Sequence, residues 1–267
     1  MNAILLTRHS DFQKYCANHL WLRGLITGVI TEAGYSFESG SGLRAAADLV
    51  WRNLGTLVSV VASHPTSLLD YVRLQRRKDI YLGQQVMQNH RVLGSGYENF
   101  VEGLPVVQVD DINSTAATSA IRRFAPKIVL VFGTRLIKPD VFDGRPFVNM
   151  HWGWSPDYRG EGIVSALALE GPQALGVTVH CLSARPDAGD ILYQARPTVD
   201  AEDNFYSVGL KLTMLGTELF ARVLEDFRRD GELTGRPQDL SRGQVFGTKY
   251  MKAHPHLYHE AWRRLRA

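Results

Sequence analysis

The chain has 267 residues, of which 45% are hydrophobic, enough for one sizeable α/β core with or without a small appendage. Its 30 basic and 27 acidic residues leave a net charge of only +3, without the concentrated excess of a nucleic-acid binder, although a modestly anionic ligand is compatible with it. Two cysteines, Cys16 and Cys181, lack a CxxC spacing, which argues against a disulfide framework or a thiolate zinc site and fits a reducing cytoplasm. The apolar start MNAILL soon meets Arg8 and His9, and no run approaches the roughly 20 apolar residues that cross a bilayer, so neither signal peptide nor membrane span is expected.

Ala3 to Leu6 is a short apolar run of the buried-strand type, and Phe12, Tyr15, Cys16, His19 and Leu20 share one face of a helix over 12–22. A second strand, Leu25 to Thr31, follows; strand, helix, strand is the rhythm of a parallel sheet with crossover helices. From Glu32 to Gly103 a Gly/Ser stretch, an apolar patch and a basic run alternate, and mostly helices and loops are expected there. Within it QRRKD, Gln75 to Asp79, reads as an exposed helix face, with phosphate binding as the alternative. The rhythm returns with the strand LPVVQV, a helix over 115–124 capped by Ser114, and the apolar central strand KIVLVFG.

RPFVNMH is the next strand, and it delivers Asn149 and His151 to its carboxyl end. A loop rich in aromatics and turn formers, WGWSPDYRGEG, separates it from a short helix over 163–171. GVTVHCL and ILYQARPTV then read as strands joined by the turn SARPDAGD. Phe205, Val208, Leu212, Leu215, Leu219 and Val223 recur at helical spacing, with Gly231 beyond the helix end. The remainder is a tail with one more helix; HPHLYHE within it, carrying His254, His256 and His259, has a superficial metal-ligand spacing but no accompanying cysteine or carboxylate cluster, and reads as a solvated tail. The fold class is α/β, with a Rossmann-like, mostly parallel sheet and flanking helices. Residues 1–231 form the catalytic domain and residues 232–267 a short C-terminal extension.

Asn149 and His151 are two apart, so both side chains leave a strand on the same face. His180 lies on the GVTVH strand and Asp187 on the turn after it. An amide donor, an imidazole and a carboxylate at one sheet end can stabilise an oxyanion, accept a proton and orient the base, which is the equipment of acyl transfer to an amine. His180 itself is expected in the core, holding the Asp187 loop, and Asp190 is expected to be structural.

Two motifs in order, NMH with PDYRG and GVTVH with DAGDILYQ, resemble the folate-dependent formyltransferases, which include glycinamide ribonucleotide, methionyl-tRNA and sugar-amine N-formyltransferases. The resemblance covers roughly Leu104 to Leu224. It implies Asn149, His151 and Asp187 as the catalytic asparagine, histidine and aspartate, and N10-formyltetrahydrofolate as the formyl donor, with no metal. It implies a pterin pocket at Thr134, Arg135, Leu136 and Ile137 and at Ala184, Arg185 and Pro186. Trp152, Trp154, Tyr158 and Arg159 would border the acceptor.

Within that family, glycinamide ribonucleotide enzymes carry a Gly-rich loop after the first strand, whereas this chain has TRHSDFQ. Methionyl-tRNA enzymes carry a C-terminal β-barrel, for which the stretch after Gly231 is too short. The layout is nearest the sugar N-formyltransferases, so the expected acceptor is the primary amine of a small molecule, a nucleotide-linked amino sugar, with no nucleic acid or membrane partner and a homodimer as the expectation from resemblance. Trp152-Gly153 after the histidine departs from the family's usual Pro-Ser or Leu-Gly. Hydroxyornithine or another secondary-metabolite amine, hydrolysis of N10-formyltetrahydrofolate, and a catalytically silent binding module stay open as alternatives.

Overall fold

The structure, a computed structural model, describes residues 2–33, 97–254 and 256–267. The described strands are β1 (Ala3–Arg8), β2 (Gly28–Glu32), β3 (Val106–Val109), β4 (Ile128–Phe132), β5 (Phe147–His151), β6 (Tyr158–Gly160), β7 (Val177–Cys181), β8 (Ile191–Ala195) and β9 (Gln244–Phe246). The described helices are α1 (Asp11–Leu22), α2 (Thr115–Phe124), α3 (Gly162–Leu169), α4 (Phe205–Asp230), α5 (Thr248–Ala253) and α6 (His256–Leu265). Most of the stretch from Glu32 to Gly103, including Gln75 to Asp79, lies outside the described residues.

Seven strands form one sheet in the order β3-β2-β1-β4-β5-β7-β8. Parallel strands sandwiched between helices are apolar on both faces, and β1 and β4 show this residue by residue. Ala3, Leu5, Ile128 and Leu130 pack with Cys16 and Leu20 of α1 and Leu212 and Phe220 of α4, whereas Ile4, Leu6, Val129 and Val131 pack with Ala117 and Ile121 of α2. Strands β1 to β5 pair parallel, giving the Rossmann-like sheet expected, while β7 runs antiparallel to β5 and β8 antiparallel to β7. A pattern of buried faces carries no strand direction, which is why that reversal was invisible in the sequence.

Helix ends follow local chemistry. The Ser114 side chain accepts from the N–H of Ala117 at the start of α2, Asn204 and Ser207 cap α4 reciprocally, and Gly231 ends α4 in the left-handed region. None of the described helices is long and apolar enough to cross a membrane.

The tail corrects the expectation of a solvated segment with one helix. Residues 232–267 contribute β9, which pairs with β6 in a second small sheet, and the two helices α5 and α6. Helix α6 is amphipathic: Leu257, Ala261 and Leu265 are buried, and Arg264 donates to the carbonyl of Leu169 at the end of α3. His254 stacks on Tyr250 at 4.1 Å, and the described residues contain no group of His, Cys, Asp and Glu that could hold a metal ion.

Candidate active site

Alternation along β5 places Val148 and Met150 in the core beneath α1 and α4, and turns Phe147, Asn149 and His151 to the α2 face of the sheet. Because β5 pairs with β4 on one side and with β7 on the other, Asn149 lies directly opposite Val131 and His180. The next loop is fastened to β7: Thr178 donates to the carbonyl of Gly153 at 2.7 Å and accepts from the N–H of Ser155 at 3.1 Å.

The turn between β7 and β8 then returns Asp187 over this edge. The Asn149 amide nitrogen is 3.2 Å from His180 Nε2 and donates to Asp187 Oδ1 at 3.3 Å. Fully buried His180 donates through Nδ1 to the carbonyl of its neighbour Cys181 at 2.8 Å, so its Nε2 is the acceptor for Asn149. Turning the Asn149 amide round would set its oxygen against two acceptors, which fixes the orientation.

His151 donates through Nε2 to the carbonyl of Tyr158 at 2.7 Å, leaving Nδ1 facing Asp187 Oδ2 at 3.5 Å. Gly153 makes room for that bond: a Cβ there would stand 2.2 Å from His151 Nε2 and 2.3 Å from the Tyr158 oxygen. This close approach is the physical reason for a glycine at position 153, two residues after the histidine.

Asp187 is held from several sides. The N–H of Gly160 donates to its Oδ2 at 2.9 Å, and Gln238, from the tail, donates to the backbone carbonyls of Asp187 at 3.1 Å and Gly189 at 2.6 Å. The residue sits in the left-handed region at φ 50, a conformation that needs such support. Burial alone would raise its pKa, but the surrounding imidazoles of His151 and His180 and the N–H of Gly160 outweigh it and keep the carboxyl well below the usual carboxylate range.

The other predicted site residues divide. Ile137 and Leu182 join the apolar cluster that contains Phe147, so the segments 134–137 and 184–186 border the face that carries Asn149 and His151. Leu136 is 59% exposed, and Ala184, Arg185 and Pro186 are exposed as well. Arg135 is already engaged, 2.7 Å from buried Glu32. Trp152 is wedged between Phe12 and Phe132, and Trp154 lies under the Arg196 guanidinium at 3.9 Å. Tyr158 is turned into the core and stacks on Phe246; burial, then its hydrogen bond to Glu170, pushes its hydroxyl pKa up. Arg159 is buried on β6.

Gly160 and Gln238 were missed as functional positions. Gly160 stood inside the PDYRG motif, and only a positive φ of 85 together with the tight approach of the Phe246 oxygen to its Cα reveals the role. Nothing local marks Gln238.

A cluster of amide, imidazole and carboxylate at the carboxyl edge of a parallel sheet is where comparison with known proteins bears most directly. The first curated relatives are methionyl-tRNA formyltransferases; that of Chlorobium phaeovibrioides is 27% identical over 46% of this chain and 39% of its own length, so the match spans less than half of such a protein. Among solved structures, a 4-N formyltransferase from Francisella tularensis superposes with a TM-score of 0.55 at 15% identity, covering 98% of this chain and 87% of that one. A sugar N-formyltransferase from Shewanella superposes with a TM-score of 0.55 at 14% identity, covering 99% and 87%. These structures share the fold. The formyl transferase family model matches residues 39–224, through both motifs and the whole of the sheet edge just described, and the chain belongs to that family.

Proposed function

We propose that the chain transfers a formyl group from N10-formyltetrahydrofolate to the primary amine of a small molecule, a nucleotide-linked amino sugar. The observation that carries the reading is the convergence of Asn149 at 3.3 Å and His151 at 3.5 Å on the carboxylate of Asp187 at one sheet edge, in a member of the formyl transferase family.

The surroundings fit a flat heterocyclic donor. Exposed Leu136 offers an apolar surface, and the exposed loop 184–186 leads directly into Asp187. Thr134 to Ile137 and Ala184 to Pro186 would hold the pterin, and the donor supplies the electrophilic formyl carbon.

The chain's own residues then do the following. Asn149 has both amide hydrogens committed, one to His180 and one to Asp187; redirecting the second to the formyl oxygen stabilises charge that develops there only in the transition state. His151 has its free nitrogen, Nδ1, toward Asp187, and there it takes the proton lost by the amine as the new carbon–nitrogen bond forms. Asp187 stays ionised, holds His151 in place and assists delivery of that proton to the departing N10 as the old bond breaks.

Amino sugars are favoured over transfer RNA by the near-balanced charge, which lacks the basic excess of a nucleic-acid binder; residues 232–267 fold back onto the unit 1–231 as β9, α5 and α6. Two unpaired cysteines, Cys16 and Cys181, accord with a cytoplasmic setting.

The test is release of tetrahydrofolate from N10-formyltetrahydrofolate against a panel of nucleotide-linked amino sugars, hydroxyornithine and a blank without acceptor. Turnover with one amino sugar is the expected result. Turnover in the blank would make the protein a hydrolase, turnover with hydroxyornithine would reassign the acceptor, and silence throughout with no folate binding would overturn the reading.

A further inference from the structure

Four charged side chains other than histidine are buried among the described residues: Lys14, Glu32, Arg159 and Asp203. Three are satisfied by the protein itself. Lys14 donates to the carbonyl of Glu98, Glu32 accepts from the N–H of Ile112 and pairs with Arg135 at 2.7 Å, and Asp203 pairs with Lys211 and accepts from Ser207.

Arg159 differs. It is 7% exposed and its Nε is enclosed without a hydrogen-bond partner, while its two terminal nitrogens, which reach the surface, have no carboxylate or carbonyl partner among the described residues. Nearby carboxylates are committed elsewhere: Asp157 to Arg242 at 3.1 Å, and Asp187 to Gly160 and His151. A guanidinium with its planar fork left open in this way is suited to an anion that can accept from both terminal nitrogens. A fold that buries an unpaired cation destabilises itself unless a ligand completes the pair.

The position of Arg159 indicates which ligand. Its two chain neighbours hold the catalytic pair: the Tyr158 carbonyl accepts from His151, and the Gly160 N–H donates to Asp187. The strand residue that carries the unpaired guanidinium thus lies between the two backbone groups that hold the reacting side chains. The folate donor also carries carboxylates, but they belong to its glutamate, a benzoyl ring away from the nitrogen that bears the formyl group.

We propose that Arg159 is the seat of an anionic group, a phosphate or carboxylate, borne by the amine acceptor and gripped through the planar fork of the guanidinium. The assignment to the acceptor rests on the formyl-transfer reading; the existence of an anion seat does not.

Inorganic pyrophosphate is the probe, followed by thermal shift and calorimetry on wild type, Arg159→Met and Arg159→Lys. Wild type should be stabilised in a saturable manner, Arg159→Lys should bind about tenfold more weakly because it keeps the charge but loses the fork, and Arg159→Met should show no response. Without ligand, Arg159→Met should melt at or above wild type, since replacing an unpaired buried charge with an apolar side chain of similar length removes a cost. Equal pyrophosphate stabilisation of wild type and Arg159→Met would overturn the proposal, as would marked destabilisation of Arg159→Met without ligand, which would mean that the charge is already paired. Failure of Arg159→Met to fold counts as that destabilisation, and undiminished pyrophosphate binding by Arg159→Lys would overturn the proposal independently.

A kinetic arm uses whichever acceptor turns over. Arg159→Lys should raise the KM for the acceptor and leave that for N10-formyltetrahydrofolate unchanged; the reverse would move the anion to the donor and overturn the assignment. A wild type inactive with every acceptor and unable to bind folate, but still binding pyrophosphate through Arg159, would sink the formyl-transfer reading and leave the anion seat standing.

Discussion

The backbone N–H of Gly160 donates to Oδ2 of Asp187 at 2.9 Å, the same oxygen that faces His151 Nδ1 at 3.5 Å. A main-chain group of β6 thus fixes the carboxylate that orients the imidazole. Gly160 has φ 85, and a Cβ there would lie 2.6 Å from the Phe246 oxygen. Gly160→Ala should therefore shift β6 away from β9 and release Asp187, lowering kcat by about 10²-fold, the scale of losing one transition-state-aligned group, while circular dichroism stays native. An Ala variant with wild-type kcat would show that this N–H is dispensable.

Asn149→Ala and Asp187→Ala should keep the fold and lose about 10²- to 10⁴-fold in kcat, as expected for removing an oxyanion donor or a group that serves proton transfer. Single-turnover formyl transfer is the measurement. Near-wild-type rates in either variant would remove that residue from the mechanism.

Asp187 is also a stability element with a definite pH sign. Burial opposes ionisation, yet His151, His180 and Gly160 lower its pKa beneath the ordinary carboxylate value, about 4 in an unfolded chain. A lowered folded pKa contributes stability above the unfolded value and loses it as pH falls through the folded one. Wild type should therefore lose Tm progressively below about pH 4, and Asp187→Asn should show a flatter acid limb. Parallel acid limbs in the two proteins would contradict this. Activity should show no acid limb near pH 4 from this group.

Gln238→Ala removes two hydrogen bonds to the Asp187 turn, at 3.1 and 2.6 Å, but touches no reacting group. Its signature should be a kcat about fivefold lower with both KM values unchanged, on the scale of losing one net hydrogen bond of about 1 kcal/mol. A rise in either KM would instead place Gln238 in a binding role.

Cys16 has its thiol pushed up to about 12 by burial, an effect that a hydrogen bond with Thr217 only partly offsets, and burial also raises Cys181. Thiolate is the reactive form, so alkylation by iodoacetamide at pH 7.5 should be slow in the native protein and become fast in denaturant. Rapid native labelling at Cys16 would show that α1 opens readily from the sheet.

Much of this was legible where local chemistry and burial coincide. Ser114 and the bounds of α2 follow from a side-chain cap, the α4 stripe ends at Gly231, and Asn149 and His151 share a face because a strand has period two. What stayed hidden depends on partners distant in the chain. Strands β6 and β9 have three residues each, too few for any periodicity, and exist only because Tyr158 meets Gln244 and Gly160 meets Phe246. Tyr158 read as an acceptor contact because it stands in a motif beside Arg159, yet Phe246 claims its ring. Gln238 has no local pattern, and its role follows only from how the tail folds back.

That small parallel pair, β6 with β9, has a consequence for the order in which this sheet edge is completed. A chain leaving the ribosome exposes Asn149, His151 and Asp187 well before Gln238 and residues 244–246 emerge, so the catalytic residues would exist as a sequence before they exist as a site. A nascent chain stalled before Gln238 should complete its seven-stranded sheet while the Asp187 turn still lacks the tail that holds it.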